Sequence, residues 1–423
     1  MSKIQPEHLQ SKLNHFVRNI GKSLSKPERR CISELIFGLC KNRQPILRQI
    51  ALGLRESISL KKTVERFRRH LSKPDWGQRL WEGVQPRLGG KLSAGDYVAV
   101  DLSDLQKPGA ASLEGLAPVR DGDTGDIGPG FWWLNLLGVT SDGSSRWPLM
   151  SRIYSFDQQA RSENSELLSA IGRVGAHLPA RICWVLDRGG DRRRLFEPLI
   201  TDDRRFIIRL QRSRRLCYQG DTSAVEQLAG QLERPWSCST WVASQNERVK
   251  RTYQGGAYRV ALPEVSACPG SGSAARLWLV TLEAPHGGCS YFLVRTDLED
   301  PAAIVAHTVR GYGHRWSVEE YHRHLKEQFN LEAIQVQKWT HLKNLVAVLG
   351  VAMGWLYGAL DHWHLRLLTQ SPVPILQKGT VWEVLGFCLY KIAEVVRLLF
   401  AGATIRMYHP DRVARPEPPG LFP

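Results

Sequence analysis

The sequence lacks any Cys-x-x-Cys pair. Its eight cysteines, at positions 31, 40, 183, 217, 238, 268, 289 and 388, are scattered, which speaks against a zinc ribbon or a disulfide framework and fits a reduced cytoplasm. No uncharged run reaches the ~20 residues a membrane helix needs. The best candidate, Leu345–Leu360, has 16 residues bracketed by Lys343, Asp361 and His362, so a buried core helix is expected there and no membrane partner. Residues 1–30 are polar and charged throughout, unlike a secretory leader. Gly-x4-Gly-Lys-[Ser/Thr] is missing, so nucleotide hydrolysis is not indicated and no nucleotide cofactor is expected. Gly-x-Ser-x-Gly is missing too, and with it the nucleophile elbow of a serine hydrolase. There is no internal repeat. His322-x-His324 is weak as a zinc pattern. Asp121–Asp126 has the look of a calcium loop, but Gly replaces a ligand and position 12 is Trp132.

What the chain does have is positive charge. Its 423 residues carry a formal charge of +16, which points to an anionic partner. Residues 1–90 hold 19 Lys and Arg against 7 Asp and Glu, so +12 of that excess sits in the first fifth. Three segments there, "ERRCISELIFGLCKN", "QPILRQIALGLRE" and "SLKKTVERFRRHLS", space their apolar residues as amphipathic helices do. In the last, Val64, Phe67 and Leu71 share a face while Arg66, Arg68 and Arg69 surround it. A helical nucleic-acid-binding module is expected over 1–88.

Beyond it the texture becomes strand-like. "DYVAVD" ends in Asp101, and a Gly- and Asp-rich loop is expected from Gln106 to Gly130. "FWWLNLLGVT" and "RWPLMSRIYS" form a hairpin around "SDGSS", and "SENSELLSAIGRVGAHL" is a helix with Ser or Asn as N-cap. "RICWVLDRGGD" is a buried strand with Asp187 at its end, and "RRFIIRLQ" a fifth strand. The order β-β-β-α-β, with Asp101 and Asp187 at two strand ends, is the skeleton of a ribonuclease-H-like domain. Asp96, Asp104 and Asp191 are competing acids that could equally be turn or cap residues. Residues 211–290 read as a β-rich insertion, and helices dominate beyond Glu332.

The densest chemistry lies in "GYGHRWSVEEYHRHLKE", Gly311–Glu327. Tyr312, Arg315, Glu319 and Lys326 fall at offsets of 0, 3, 7 and 14, within roughly 60° of one another on a helix. A phenol, a guanidinium, a carboxylate and an ammonium on one face suit a phosphate backbone plus a metal ion. The same residues also suit a solvated, salt-bridged surface, and Ser317 with Glu320 fits a helix-starting capping box. Asp101, Asp187 and Glu319 together supply the hard oxygen ligands that two Mg²⁺ ions need for phosphodiester chemistry.

With both acid-bearing strands ahead of it, Tyr312-x2-Arg315-x3-Glu319-x6-Lys326 resembles the signature of cut-and-paste DDE transposases of the bacterial insertion-sequence-4 kind. "DRGGD" is similar to that family's second-acid motif and "YVAVD" to its first-acid strand, and the resemblance spans roughly residues 30–400. It implies an α/β catalytic core, ribonuclease-H-like, interrupted by a β-rich insertion and flanked by N- and C-terminal helical regions. The expected boundaries are 1–88 for DNA binding, 89–210 and 291–335 for the split core, 211–290 for the insertion, and 336–423 for a dimerising region with a Pro-rich tail. Asp101, Asp187 and Glu319 would be catalytic and bind Mg²⁺, with Mn²⁺ substituting. Tyr312, Arg315 and Lys326 would contact DNA phosphates, and Trp316 would stack on a base turned out during hairpin formation. Two departures stand: Tyr291 replaces a wedge-like Trp, and "DLSDLQKP" diverges, leaving Asp104 as a rival to Asp101. The implied activity is binding of terminal inverted repeats in double-stranded DNA by a homodimer, strand cleavage, hairpin formation and strand transfer, in a bacterial cytoplasm. An inactive DNA-binding copy, or a metal-dependent DNase that does not join strands, would carry the same pattern.

Overall fold

A computed structural model describes residues 4–263, 276–359 and 389–405, apart from positions 111, 123, 159, 245, 246 and 286. The chain begins with five helices: α1 (Pro6–Ile20), α2 (Lys26–Asn42), α3 (Leu47–Leu54), α4 (Leu60–Leu71) and α5 (Trp76–Gly89). Leu9, Leu13, Phe16, Val17 and Ile20 give α1 its buried stripe. Ser25 and Glu28 close a capping box at the start of α2, satisfying backbone donors that the first turn cannot. The first-fifth charge is partly spent inside this module. Arg66 pairs with Glu34 at 2.8 Å and Glu56 at 2.6 Å, so it serves as a structural cation inside the module. Lys61, Lys62, Arg68 and Arg69 of α4 are exposed.

A mixed α/β region follows. It contains β1 (Tyr97–Gln106), β2 (Ala117–Arg120), β3 (Ile127–Val139), β4 (Arg146–Tyr154), α6 (Glu163–Gly175), β5 (Cys183–Leu186), α7 (Arg193–Thr201) and β6 (Arg205–Arg209). Next come β7 (Arg215–Tyr218), β8 (Asp221–Ala224), α8 (Val225–Gln231), β9 (Trp236–Ser244), β10 (Glu247–Arg259), β11 (Leu277–Glu283) and β12 (Cys289–Arg295). Among the described residues one sheet holds ten strands, ordered β2-β3-β1-β5-β6-β12-β11-β10-β9 with β4 also on β3. β1 runs antiparallel to β3 and parallel to β5, and β5 runs parallel to β6. Every pairing from β6 through β12 to β9 is antiparallel, so strands from 211–290 extend the same sheet. β7 and β8 form a separate pair.

The expected loop after Gln106 is shorter than anticipated. β2 lies within it and β3 starts at Ile127, because β1 keeps a partner for its full length, from Tyr97 opposite Val139 to Gln106 opposite Gly130. Asp101 is therefore mid-strand, not at a strand end. It stands just beyond Ala99, the last β1 residue paired with β5.

The 23-residue helix α9 (Pro301–Arg323) lies across one face of this sheet. Asp300 caps it, accepting from the backbone N–H of Ala303 at 3.0 Å, so Ser317 sits in mid-helix and does not start one. Gly311 lets α9 come close: a Cβ there would meet Tyr97 Cε1 at 2.5 Å and Ile207 Cδ1 at 2.6 Å. Tyr97 OH also bonds His307 Nδ1 at 2.9 Å. After Arg323 the helix widens into a π turn, His324–Gln328.

α10 (Trp339–Gly354) and α11 (Leu389–Ala401) complete the eleven helices of the described residues. α10 is buried nearly all round, as its uncharged run predicts, and no described helix is long and apolar enough to cross a membrane. Asn344 pins it to the N-terminal helices, accepting from Gly77 N–H and donating to Leu71 O and Lys73 O, each at 2.8 Å. Most of the segment between α10 and α11, and the Pro-rich tail expected after them, lie outside the described residues.

Candidate active site

Side chains alternate along a strand, so Tyr97, Ala99 and Asp101 project toward one face. Tyr97 touches His307 and His314 of α9, which makes that face the one α9 covers. Asn135, directly opposite Asp101 in the β1–β3 register, shares it. The parallel pairing of Ala99 with Val185, carried two residues further, sets Asp187 level with Asp101. Asp187 Oδ1 accepts from Gly189 N–H at 2.8 Å, capping a one-turn helix over Arg188–Gly190.

From α9, Arg315 reaches both remaining acids of the predicted set. Its Nη1 is 3.5 Å from Asp101 Oδ2, and its Nη2 bonds Glu319 Oε1 one turn away. Burial pushes Asp101 up to about 7; Arg315 opposes that rise, while Asp187 and Glu319 add to it. Burial works against the Arg315 guanidinium, yet Asp101, Tyr312 and Glu319 hold its proton affinity above the ordinary value. The acids thus form one electrostatic unit with an arginine as its countercharge.

Tyr312 is held between two guanidinium groups, Arg315 at 5.5 Å and Arg209 at 5.9 Å from its ring centroid. Trp316, the next residue after Arg315, is 47% exposed. It is not a core residue. Lys326 comes from the π turn, not from the regular helical face its spacing predicts, because the turn shifts the register after Arg323. It reaches Asp104 at 3.6 Å and Glu332 at 3.7 Å. Lys107, donating to Ile334 O at 3.1 Å and to Glu332 O, ties the end of β1 to this segment.

The rival acids are otherwise engaged. Asp96 accepts from Ser93 N–H at 2.8 Å and Ser141 N–H at 2.7 Å. Asp191 accepts from Arg214 Nε at 2.6 Å and Gln211 N–H at 2.7 Å. Asp104 is buried and faces Lys326. Tyr291 lies in the core at 7% exposure, which removes it as a wedge. The two histidines of His-x-His part company: His324 bonds Tyr357, whereas His322 bonds Asn135 and lies 4.0 Å from Asp101.

Sequence reasoning missed Asn135 and His322 as members of this site. Asn135 had a signal, since it is the lone polar residue inside "FWWLNLLGV", and a buried amide needs a partner. Among the described residues no three His, Cys, Asp or Glu side chains are arranged to hold a metal ion. Arg315 instead bridges Asp101 and Glu319. The donor chemistry itself fits a hard cation: three carboxylates, one of them driven toward its protonated form chiefly by burial, with the other two adding to the rise.

No protein-family model matches this chain, and no curated protein is similar to it in sequence. Among solved structures it is similar to a piggyBac transposase synaptic complex with hairpin DNA, at a TM-score of 0.40 and 10% identity, over 93% of this chain and 81% of that one. That likeness is too distant to assign a family.

Proposed function

We propose that this protein is a DNA transposase of the DDE type, resembling the insertion-sequence-4 kind, which cuts and joins DNA strands with Asp101, Asp187 and Glu319. One observation carries the reading. Asp101 is driven to about 7 by burial and by Asp187 and Glu319, in a site whose countercharge is Arg315. Such a cluster stores a demand for positive charge that phosphodiester chemistry uses. The strand order β4-β3-β1-β5-β6, three antiparallel then two parallel, supports a ribonuclease-H-like core.

Asp101, Asp187 and Glu319 would hold Mg²⁺ or Mn²⁺, which when bound neutralise phosphate charge and lower the pKa of a water. Arg315 would exchange its carboxylate partners for phosphate oxygens, which its planar fork fits equally well. Tyr312 and Lys326 would add phosphate contacts on either side. Trp316, already exposed, offers its face to a base turned out of the duplex. Water attacks one strand at the element's end, the released 3′-OH attacks the opposite strand to form a hairpin, and after reopening the same hydroxyl joins target DNA. The exposed cations of α4 bind the terminal inverted repeats, and two copies pair to bring both ends together.

The test is cleavage of a labelled fragment carrying the DNA ends that flank this gene, with Mg²⁺ or Mn²⁺, by the intact protein and by Glu319→Gln. The expected result is metal-dependent cutting at the boundary, lost in the variant while binding persists. Binding without cutting by either protein would favour an inactive DNA-binding copy. Cutting without joining would favour a nuclease.

A further inference from the structure

His322 is buried inside the acidic site, with its two ring nitrogens facing different partners. Nε2 is 2.9 Å from Asn135 Nδ2. Nδ1 is 4.0 Å from Asp101 Oδ2. The Trp133 ring, 4.7 Å away centroid to centroid, packs on the imidazole. An amide N–H donated by Asn135 requires a lone pair on Nε2, which leaves the proton on Nδ1. With Asp101 ionised, as a metal ligand must be, the opposite arrangement would aim an Nδ1 lone pair at a carboxylate and repel it. Asn135 and Asp101 are cross-strand neighbours, so the same β1–β3 register that places the acid also places the group that orients His322.

Resting on the transposase reading above, we infer that His322 is a positioning residue: Asn135 fixes its tautomer, and its Nδ1–H aims the Asp101 carboxylate. At 4.0 Å the imidazole does not yet hydrogen-bond Asp101, whose Oδ2 faces Arg315. When Arg315 turns to phosphate, Asp101 Oδ2 loses that partner and His322 Nδ1–H is the donor beside it. One carboxylate oxygen is then held, and the other is free to ligate a cation. Carboxylates that ligate metals are commonly held by such hydrogen bonds, whose loss costs about 10- to 100-fold in metal affinity.

The test uses the full chain and Mn²⁺, followed by loss of the free-ion signal in electron paramagnetic resonance, with DNA ends bound. His322→Asn keeps an N–H near the Nδ1 position, whereas His322→Gln moves it to the Nε2 position. The expected result is Mn²⁺ affinity within about threefold of wild type for His322→Asn and weaker by about 10- to 100-fold for His322→Gln. Excess Mn²⁺ should restore DNA cutting by the Gln variant, which loss of structure would not allow. Equal affinity in wild type and both variants would overturn the inference. If both variants unfold, Asn135→Leu, which keeps the imidazole and removes its anchor, is read instead: weakened Mn²⁺ binding supports the assignment and unchanged binding overturns it. Wild type that neither binds Mn²⁺ nor cuts DNA would instead fail the transposase reading, and Asp101→Asn is the reference for specific binding.

Discussion

Replacing Asp101 with Asn should make the protein more stable while destroying its activity, and the size of the gain follows from the site. The carboxyl of Asp101 stands at about 7 against an ordinary 3.8. Between those values it is protonated in the folded chain and ionised in the unfolded one. Folded-state stability therefore falls as pH rises through that window, and the loss is complete above about 7. A shift of three units at ~1.4 kcal/mol each comes to about 4 kcal/mol at pH 8 and about 2 kcal/mol at pH 5. Asn is nearly isosteric and carries no charge, so it should recover most of this. At roughly 2 cal/mol/K of unfolding entropy per residue, a chain of this length gains about 5 °C in Tm at pH 8 and about 2 °C at pH 5. Thermal melts of both proteins in chelator, at the two pH values, measure the difference. A variant that melts at or below wild type at pH 8, or whose gain does not shrink at pH 5, would show that Asp101 is not the strained acid.

Two further outcomes concern the N-terminal helices, and a third the exposed tryptophan. Arg66→Ala leaves Glu34, 4% exposed, without one of its two cations, so it should cost about 2–3 kcal/mol in denaturant titrations. Arg68→Ala with Arg69→Ala should leave stability within about 0.5 kcal/mol, while the slope of DNA affinity against salt flattens by about one unit for each phosphate that is no longer neutralised. Trp316→Ala should likewise leave Tm unchanged, since the ring is 47% exposed, but slow the steps after the first nick. Stacking worth ~1–3 kcal/mol corresponds to a fall of about 5- to 160-fold, read from the ratio of nicked to hairpin product; an unchanged ratio would remove the stacking role.

Much of this site could be read from residue order, and the parts that could not have physical causes. Spacing alone put Tyr312, Arg315 and Glu319 on one helical face, because α9 is regular there. Lys326 departed from that face because the helix widens after Arg323, a change that no periodicity announces. Ser317 and Glu320 satisfy the local pattern of a capping box. What excludes it lies well upstream, where Asp300 already caps the same helix. Asp96, Asp101, Asp187 and Asp191 look alike in sequence. For three of them a distinguishing partner comes from a remote segment: Ser141 N–H for Asp96, Arg214 and Gln211 N–H for Asp191, and an arginine shared with Glu319 for Asp101, while Asp187 caps its own turn. Asp101 also seemed to end a strand, because the apolar run stops there; β3 carries the pairing on.

The run of the sheet past β6 has a consequence for how this chain can be cut. β12 is apolar on both sides, with Phe292, Leu293 and Val294 all buried, and β11 pairs with it from Cys289 to Arg295. Excising residues 211–290 would therefore not lift off a self-contained appendage. It would bare a flat hydrophobic edge, a row of open backbone donors and acceptors of the kind that recruits other chains into aggregates. The strands between Asp187 and Glu319 serve, in that sense, as a hem that keeps the sheet from fraying into its neighbours.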